Sequence, residues 1–474
     1  MTAQILPFPP RGFARMGLAE TAPRGIWMPP EQLGDDWTYD EKRTPRAVLL
    51  GTVSHRLIGR SDDRHMVTIA GGRAGKTFTI IVPNLSRYRG SAVVIDPKGE
   101  IANATAKIRA AMGHKVFILD PFNVRGRGTH GHNPCAELLR SPLERLCADA
   151  AQLADALIID QPKDPHWTDS AKNLIMGLIL YLLIHDRENL SIRTLRRLLS
   201  DAKELYRVLR AMMLSDALDG VIRNVGASFF AKFRVKESGP EANDEMLSVL
   251  ATCNAQTRPL DDLNAVFSRH DFDLDIFSRS EQPTTVYLIL PATLIPTHSR
   301  WLRLFVTQLI ATMERHPIHR TRLPLWLILE EFAALGYMRS IEAAAGYCAG
   351  FGVKLWTILQ DLTQIKTHYP NSWETFLRNA GIIDAFGNVD VTTTKYLSDL
   401  LGQTTIIEEQ KGFVTADQRA HGDDGIRQNL RSVPLLSPSE ITLHFARERS
   451  SHLVLVPGHR PVFLPRLPIE QTED

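Results

Sequence analysis

Residues 68–78, TIAGGRAGKTF, end in Gly-Lys-Thr at the spacing of a loop that holds phosphate. Such a loop works by turning backbone N–H groups inward and following them at once with a helix N-terminus, whose partial positive charge faces the anion. Gly71, Gly72 and Gly75 let the backbone approach a ligand without Cβ contacts. Lys76 would reach the β- and γ-phosphates, and Thr77 would place its hydroxyl on Mg²⁺. The pattern asks for glycine at its first position, where this chain carries Ala70. Alanine is acceptable there if its φ stays negative and Gly71 and Gly72 absorb the turn. The loop is therefore Ala70, Gly71, Gly72, Arg73, Ala74, Gly75, Lys76 and Thr77.

Hydrolysis of a bound nucleotide would also need an acidic residue beside the Mg²⁺ water shell and a base to orient the attacking water. LPLWLILEEFAALG offers both, because Glu330 and Glu331 follow an apolar strand-like run at the edge where ligands bind in parallel sheets. Gln360 ends another such run, VKLWTILQ, where an amide could sense the γ-phosphate or position the water, although any strand can end in glutamine. Asp96, Lys98 and Glu100 follow a third run in IDPKGE. Nucleotide coupling and simple turn chemistry fit these three equally well.

The elements needed to position these residues are legible. A strand over 66–70, the glycine turn, a helix from near Lys76, the strand SAVVID, the helix GEIANATAKIRAAM and the strand KVFILD alternate as a parallel α/β sheet requires. Between about Pro134 and Phe277 helical periods take over, including PLERLCADAAQLADALI, DSAKNLIMGLILYLLIH and IRTLRRLLSDAKELYRVLRAMM. Strand character resumes in TTVYLILP, LPLWLILEE, VKLWTILQ, IIDAFG and SHLVLVPG. The reading is an α/β domain over 61–134 and 278–474, split by an all-helical insertion over 135–277 and preceded by a loop-rich arm over 1–60. Residues 408–429, polar and punctuated by glycine, read as a loop.

The 474 residues suit two or three domains, and 44% hydrophobic with 23% charged residues is ordinary for a globular chain. The formal charge of +2 gives no global sign of a nucleic-acid partner. Arg193, Arg196 and Arg197 share one face of a predicted helix and could meet phosphate, although a solvated face is the simpler expectation. Cys135, Cys147, Cys253 and Cys348 form no C-x-x-C pair, so neither a zinc site nor a disulfide framework is indicated, and a reducing cytoplasm fits. The opening MTAQILPFPPRGFARMG is broken by prolines and does not read as a signal peptide. The apolar run 173–184 is too short to span a bilayer and reads as a buried helix.

Taken together, TIAGGRAGKTFTIIVPNL, SAVVIDPKGE, VFILDPFN with HNP, HWTDSAKNLI, LILEEFAALG, YCAGFGVKLWTILQDLTQI and NVDVTTTKYLSDLLGQTT resemble the TraG-like coupling ATPases of conjugative type IV secretion. The resemblance runs from about Gly51 to Arg466. It implies a RecA-like P-loop core with an all-alpha insertion, using ATP and Mg²⁺ and assembling as a hexameric motor. It further implies that relaxase-bound single-stranded DNA is handed to a secretion channel, in contact with channel ATPases and inner-membrane subunits. The family's catalytic glutamate falls on Glu331 and its sensor glutamine on Gln360, while Glu330 takes the place of the usual aspartate near Mg²⁺.

Two departures stand out. Glu330 is one methylene longer than aspartate, which would shift the Mg²⁺ water shell and slow turnover. The family's pair of N-terminal membrane helices has no counterpart in the sequence, so the expectation is a cytoplasmic chain without a membrane span of its own, with peripheral attachment at the inner membrane left open. Ala349 stands where some relatives carry arginine, which leaves Arg378 and Arg303 as candidates for an arginine finger. Two other functions stay compatible with the residues: an ATP-binding adaptor with little hydrolysis, and an FtsK- or HerA-like DNA pump unconnected to secretion.

Overall fold

The structure, a computed structural model, describes residues 26–160, 165–237, 239–411 and 426–467. Along the chain its strands are β1 (Ala47–Val53), β2 (Arg56–Ser61), β3 (His65–Ala70), β4 (Ala92–Ile95), β5 (Lys115–Leu119), β6 (Phe233–Lys236), β7 (Gly239–Ala242) and β8 (Thr284–Leu288). There follow β9 (Leu325–Leu329), β10 (Val353–Leu359), β11 (Ala380–Phe386), β12 (Gln403–Lys411), β13 (Ile426–Pro434), β14 (Ser451–Leu455) and β15 (Val462–Pro465). The apolar runs singled out in the sequence are β3, β4, β5, β8, β9, β10, β11 and β14. The chain divides into two compact units, one built from 1–84, 359–373 and 380–474, the other from 85–358 and 374–379.

In the first unit β3 pairs in parallel with β11, and both are buried along their whole length. Strands covered on both faces lose the polar alternation of half-exposed strands, which is why they appear in the sequence as short continuous apolar runs. β14 and then β15 extend this sheet in antiparallel fashion.

The expected loop-rich arm holds an antiparallel hairpin, β1–β2. Its two-residue turn, Ser54 and His55, has φ of 47° and 67°. Ser-His lacks the Asn-Gly composition that normally marks such a turn in a sequence. The Asn84 side chain accepts from the Leu49 amide and donates to the Leu49 carbonyl, both at 2.8 Å, so it completes the edge of β1 as a neighbouring strand would. Residues 408–429 also depart from expectation: their ends belong to β12 and β13, which pair antiparallel, and 412–425 lie outside the described residues.

In the second unit five parallel strands run in the order β10-β9-β4-β8-β5. Between β5 and β8 come the helices Leu146–Leu157, Pro165–His185, Ile192–Ser200, Ala202–Met212, Val221–Phe230 and Asp244–Thr257. One continuous helical period in the sequence is broken here at Asp201, whose side chain accepts from the amides of Lys203 and Glu204 and so starts a new helix. The short β6–β7 hairpin also interrupts the helices. Pro165–His185 carries the longest apolar run and packs so tightly that a Cβ on Gly177 would overlap the Val225 side chain. Among the described residues no helix is long and apolar enough to cross a membrane.

Candidate functional site

In the first unit the phosphate-type loop leaves the end of β3. Ala70 is fully buried and keeps φ out of the left-handed region. The turn is absorbed elsewhere than expected: Arg73, at φ 57°, and Gly75, at φ 90°, take the left-handed conformation, while Gly71 and Gly72 do not. Gly71 is required for another reason, since a Cβ there would overlap the Gly387 carbonyl oxygen. Its amide donates to the Phe386 carbonyl at 3.1 Å, fastening the loop to the end of β11. Gly72 is exposed, with no described residue within 4 Å of a Cβ position.

The helix after the loop opens with a wide π-type turn, Thr77–Ile81, before Val82–Leu85. Both the amide and the hydroxyl of Thr79 donate to the Gly75 carbonyl, at 2.9 and 3.0 Å. Lys76 is half-buried and Thr77 is buried. Left-handed Arg73 and Gly75, a glycine that admits no side chain and an immediate helix start are the features of a loop whose backbone amides can turn toward an anion.

Gln360 lies in the same unit. Its amide donates to the Gln364 side chain at 3.0 Å, and its carbonyl accepts from Asn388 Nδ2 at 3.2 Å. Asn388 is only 4% exposed and directly follows Gly387, so the same short loop meets both Gly71 and the Gln360 backbone. Asn388 opens NVDVTTTKYLSDLLGQTT, one of the stretches that carry the family resemblance, yet its type and spacing assign it no role of its own.

In the second unit Ile95 and Leu329 are register partners, so Asp96 and Glu330 take adjacent places just past the ends of β4 and β9. Glu330 is 7% exposed and Asp96 is fully buried. Asp96 Oδ2 accepts from the Ala102 amide at 2.8 Å, whereas its buried Oδ1 has no hydrogen-bond partner among the described residues. Burial raises the Asp96 carboxyl to a pKa of about 6, against the pull of the amides that hydrogen-bond to it. Lys98 is exposed, Gly99 has φ 70°, and Glu100 begins the helix Glu100–Ala111, where a negative charge suits the dipole. Asp96 thus caps a helix, with one oxygen left over. An acidic pair with a spare buried oxygen fits a hydrated divalent cation.

Glu331 occupies the left-handed region, at φ 58° and ψ 46°, as the residue before the short helix Phe332–Leu335. A side chain with a Cβ pays about 1–2 kcal/mol for that conformation, and such outliers cluster at functional positions.

Several basic candidates are engaged structurally. Arg303, on the helix Ile295–Arg315, is 7% exposed and donates to the carbonyls of Leu335 and Tyr337, so it braces the segment after Glu331 and does not project as a finger. Arg378 is exposed at the end of Trp373–Arg378. Arg196 is buried against Asp261 at 3.0 Å and donates to Asn254 and Thr257. It is therefore neither the solvated nor the phosphate-facing residue that its helix face suggested. Arg197 pairs with Glu204 at 3.1 Å.

His132, Glu137 and His270 bring ligand-type atoms within 4.8 Å of one another. His270 Nδ1 accepts the Asn133 amide at 3.2 Å, which puts the ring proton on Nε2, 2.8 Å from Asp273. Glu137 is already engaged by the Leu274 amide and by His132. The trio is a hydrogen-bond network that joins the start of the helical region to its end.

Residues 35–467 match the family described as Type IV secretory system Conjugative DNA transfer. The chain belongs to that family. It is 27% identical over 409 residues to the Protein VirD4 of Agrobacterium fabrum, covering 84% of this chain and 58% of that protein. To the Conjugal transfer protein TraG of Escherichia coli it is 27% identical over 402 residues, covering 80% and 61%. The chain thus spans about three fifths of the length of these relatives. Its fold is similar to that of the plasmid coupling protein TrwB in complex with ADP and Mg²⁺, with a TM-score of 0.63 and 14% identity over 89% of each chain. The core is accordingly an α/β, RecA-like P-loop fold with mostly parallel sheets.

Proposed function

We propose that this chain is an ATP-driven coupling protein that moves single-stranded DNA with its bound relaxase toward a type IV secretion channel. The observation that carries the reading is the phosphate loop, in which left-handed Arg73 and Gly75 and side-chain-free Gly71 form an anion cradle in a chain that belongs to a conjugative DNA-transfer family. The amides of Gly72, Arg73, Gly75, Lys76 and Thr77 would receive the phosphates, since those of Gly71 and Ala74 are given to the carbonyls of Phe386 and Gly71, while Lys76 would neutralise the β- and γ-phosphate charge and the Thr77 hydroxyl and Glu330 would hold the Mg²⁺ water shell. Mg²⁺, when bound, screens the negative charge that develops on the transferred phosphoryl group. Glu331 orients and deprotonates the attacking water, and Gln360 senses the γ-phosphate. Asp96 would offer its second carboxylate oxygen to the cation's water, while Lys98 and Glu100, at the start of the helix Glu100–Ala111, would transmit the nucleotide state.

The working form is a homo-hexamer around single-stranded DNA, gripping the backbone without reading bases. It docks on channel ATPases and inner-membrane subunits from the cytoplasmic side. A second reading, an adaptor that binds ATP and scarcely hydrolyses it, is favoured by Glu330 in place of aspartate. ATP turnover with and without single-stranded DNA, compared with Lys76→Ala and Glu331→Gln, separates the two. A motor gives turnover that DNA raises and both substitutions abolish, whereas turnover equal to that of the variants leaves the adaptor.

A further inference from the structure

Arg466 follows β15 at the far end of the described chain, yet its guanidinium lies against the phosphate loop. The residue is 5% exposed. Nη1 donates to the Ala74 carbonyl and Nη2 to the Arg447 carbonyl, the latter at 3.1 Å. The guanidinium carbon stands 4.3 Å from the centre of the Phe386 ring, and it is the Phe386 carbonyl that receives the Gly71 amide. The Arg466 amide is itself fixed on the Ser450 carbonyl at 2.7 Å. One buried cation therefore touches both ends of the loop's support: the Ala74 peptide within it, and the strand end to which Gly71 is fastened.

The consequence follows from peptide geometry. In a trans peptide the C=O and the N–H point in opposite directions. Drawing the Ala74 oxygen toward Arg466 therefore turns the Gly75 N–H to the other side, and the hydrogen bond from a cation polarises that N–H as a stronger donor. Gly75 is one of the two positions whose positive φ shapes the cradle. Burial opposes the charge on Arg466, and the nearby, fully buried Asp384 carboxylate supports it.

We propose that Arg466 is a positioning residue for nucleotide binding, which pins the Ala74–Gly75 peptide so that the Gly75 amide faces the phosphates and places a positive charge behind the loop. This rests on the nucleotide reading given above and adds a residue that no phosphate-loop pattern contains.

The test uses the full chain with Arg466→Met and Arg466→Gln, beside wild type and Lys76→Ala. Binding of a fluorescent ATP analogue with Mg²⁺, the KM and kcat of ATP turnover, and thermal unfolding with and without nucleotide are measured. Loss of one hydrogen bond from a charged donor predicts about tenfold weaker binding for Arg466→Met. The expected signature is a raised KM with kcat within about twofold, a smaller nucleotide-induced rise in Tm, and an intermediate loss for Arg466→Gln, which keeps a neutral donor. A structural role alone would lower the Tm without nucleotide and leave the affinity of the folded fraction unchanged. Folded variants that bind like wild type overturn the proposal while Lys76→Ala still reports a working nucleotide site. Failure of both variants to fold cooperatively makes Arg466 a structural residue only and overturns it as well. If wild type and Lys76→Ala alike bind no nucleotide, the nucleotide reading falls and takes the proposal with it.

Discussion

Replacing Asp96 by Asn isolates the carboxyl that the structure buries beside Glu330. Its native pKa is raised from 3.8 to about 6, and at about 1.4 kcal/mol per unit this rise is worth about 3 kcal/mol. The sign follows from proton counting. The native state holds the Asp96 proton more tightly than the unfolded chain, so Asp96 costs nothing below the unfolded value and destabilises progressively as pH rises through the native one. Roughly half of the 3 kcal/mol is already lost by pH 5, leaving about 1.5 kcal/mol to be lost between pH 5 and pH 8. Asp96→Asn keeps an oxygen to accept the Ala102 amide and removes the ionisation. Its stability advantage over wild type should therefore widen by about 1.5 kcal/mol across that interval. Urea unfolding followed by tryptophan fluorescence is a suitable assay, because Trp326 and Trp356 lie in the strands of the same unit. Wild-type and Asp96→Asn curves that stay parallel from pH 5 to pH 8 would refute the assignment of a desolvated carboxyl.

Three further substitutions follow from the geometry. Gly71→Ala sets a Cβ against the Gly387 carbonyl, so it should cost about 2 kcal/mol in thermal unfolding and weaken nucleotide binding; an unchanged Tm would contradict the close approach. Glu331→Gly relieves a left-handed residue and should raise stability by about 1 kcal/mol, measured without nucleotide, while turnover is lost. Arg196→Ala breaks the pairing with Asp261 and the bonds to Asn254 and Thr257, so it should destabilise by about 2 kcal/mol. The salt dependence of DNA binding should be the same in Arg196→Ala as in wild type, and a reduced slope would return Arg196 to the DNA-facing surface.

The parts of this protein that were legible in its sequence are those in which local chemistry and fold agree. The parallel strands are short apolar runs because both faces are covered, and Gly75, Lys76 and Thr77 sit where a strand gives way to a helix. Glu330 was placed by the same logic, since a charged residue directly after a buried strand stands at the sheet's edge. What could not be read depended on conformation or on partners distant in the chain. Nothing in the letters marks Arg73 and Glu331 as left-handed, because both residue types ordinarily avoid that region. The β1–β2 turn is Ser-His, and β12 and β13 are polar enough to pass for a loop. Arg196 lies on a charged helix face that turns inward because Asp261 waits there, 65 positions further on. Arg466 meets Ala74 across 392 positions, beyond the reach of any periodicity or motif.

The central claim, a DNA-driven motor built on the phosphate loop, is tested most directly by the rate of ATP hydrolysis per chain as single-stranded DNA is titrated, with Lys76→Ala as the baseline. The account predicts a rate that rises with DNA and falls to baseline when Lys76 is removed, because the proposed phosphate site needs both the loop and its lysine. A wild-type rate that DNA leaves unchanged, or one that Lys76→Ala does not lower, would contradict it.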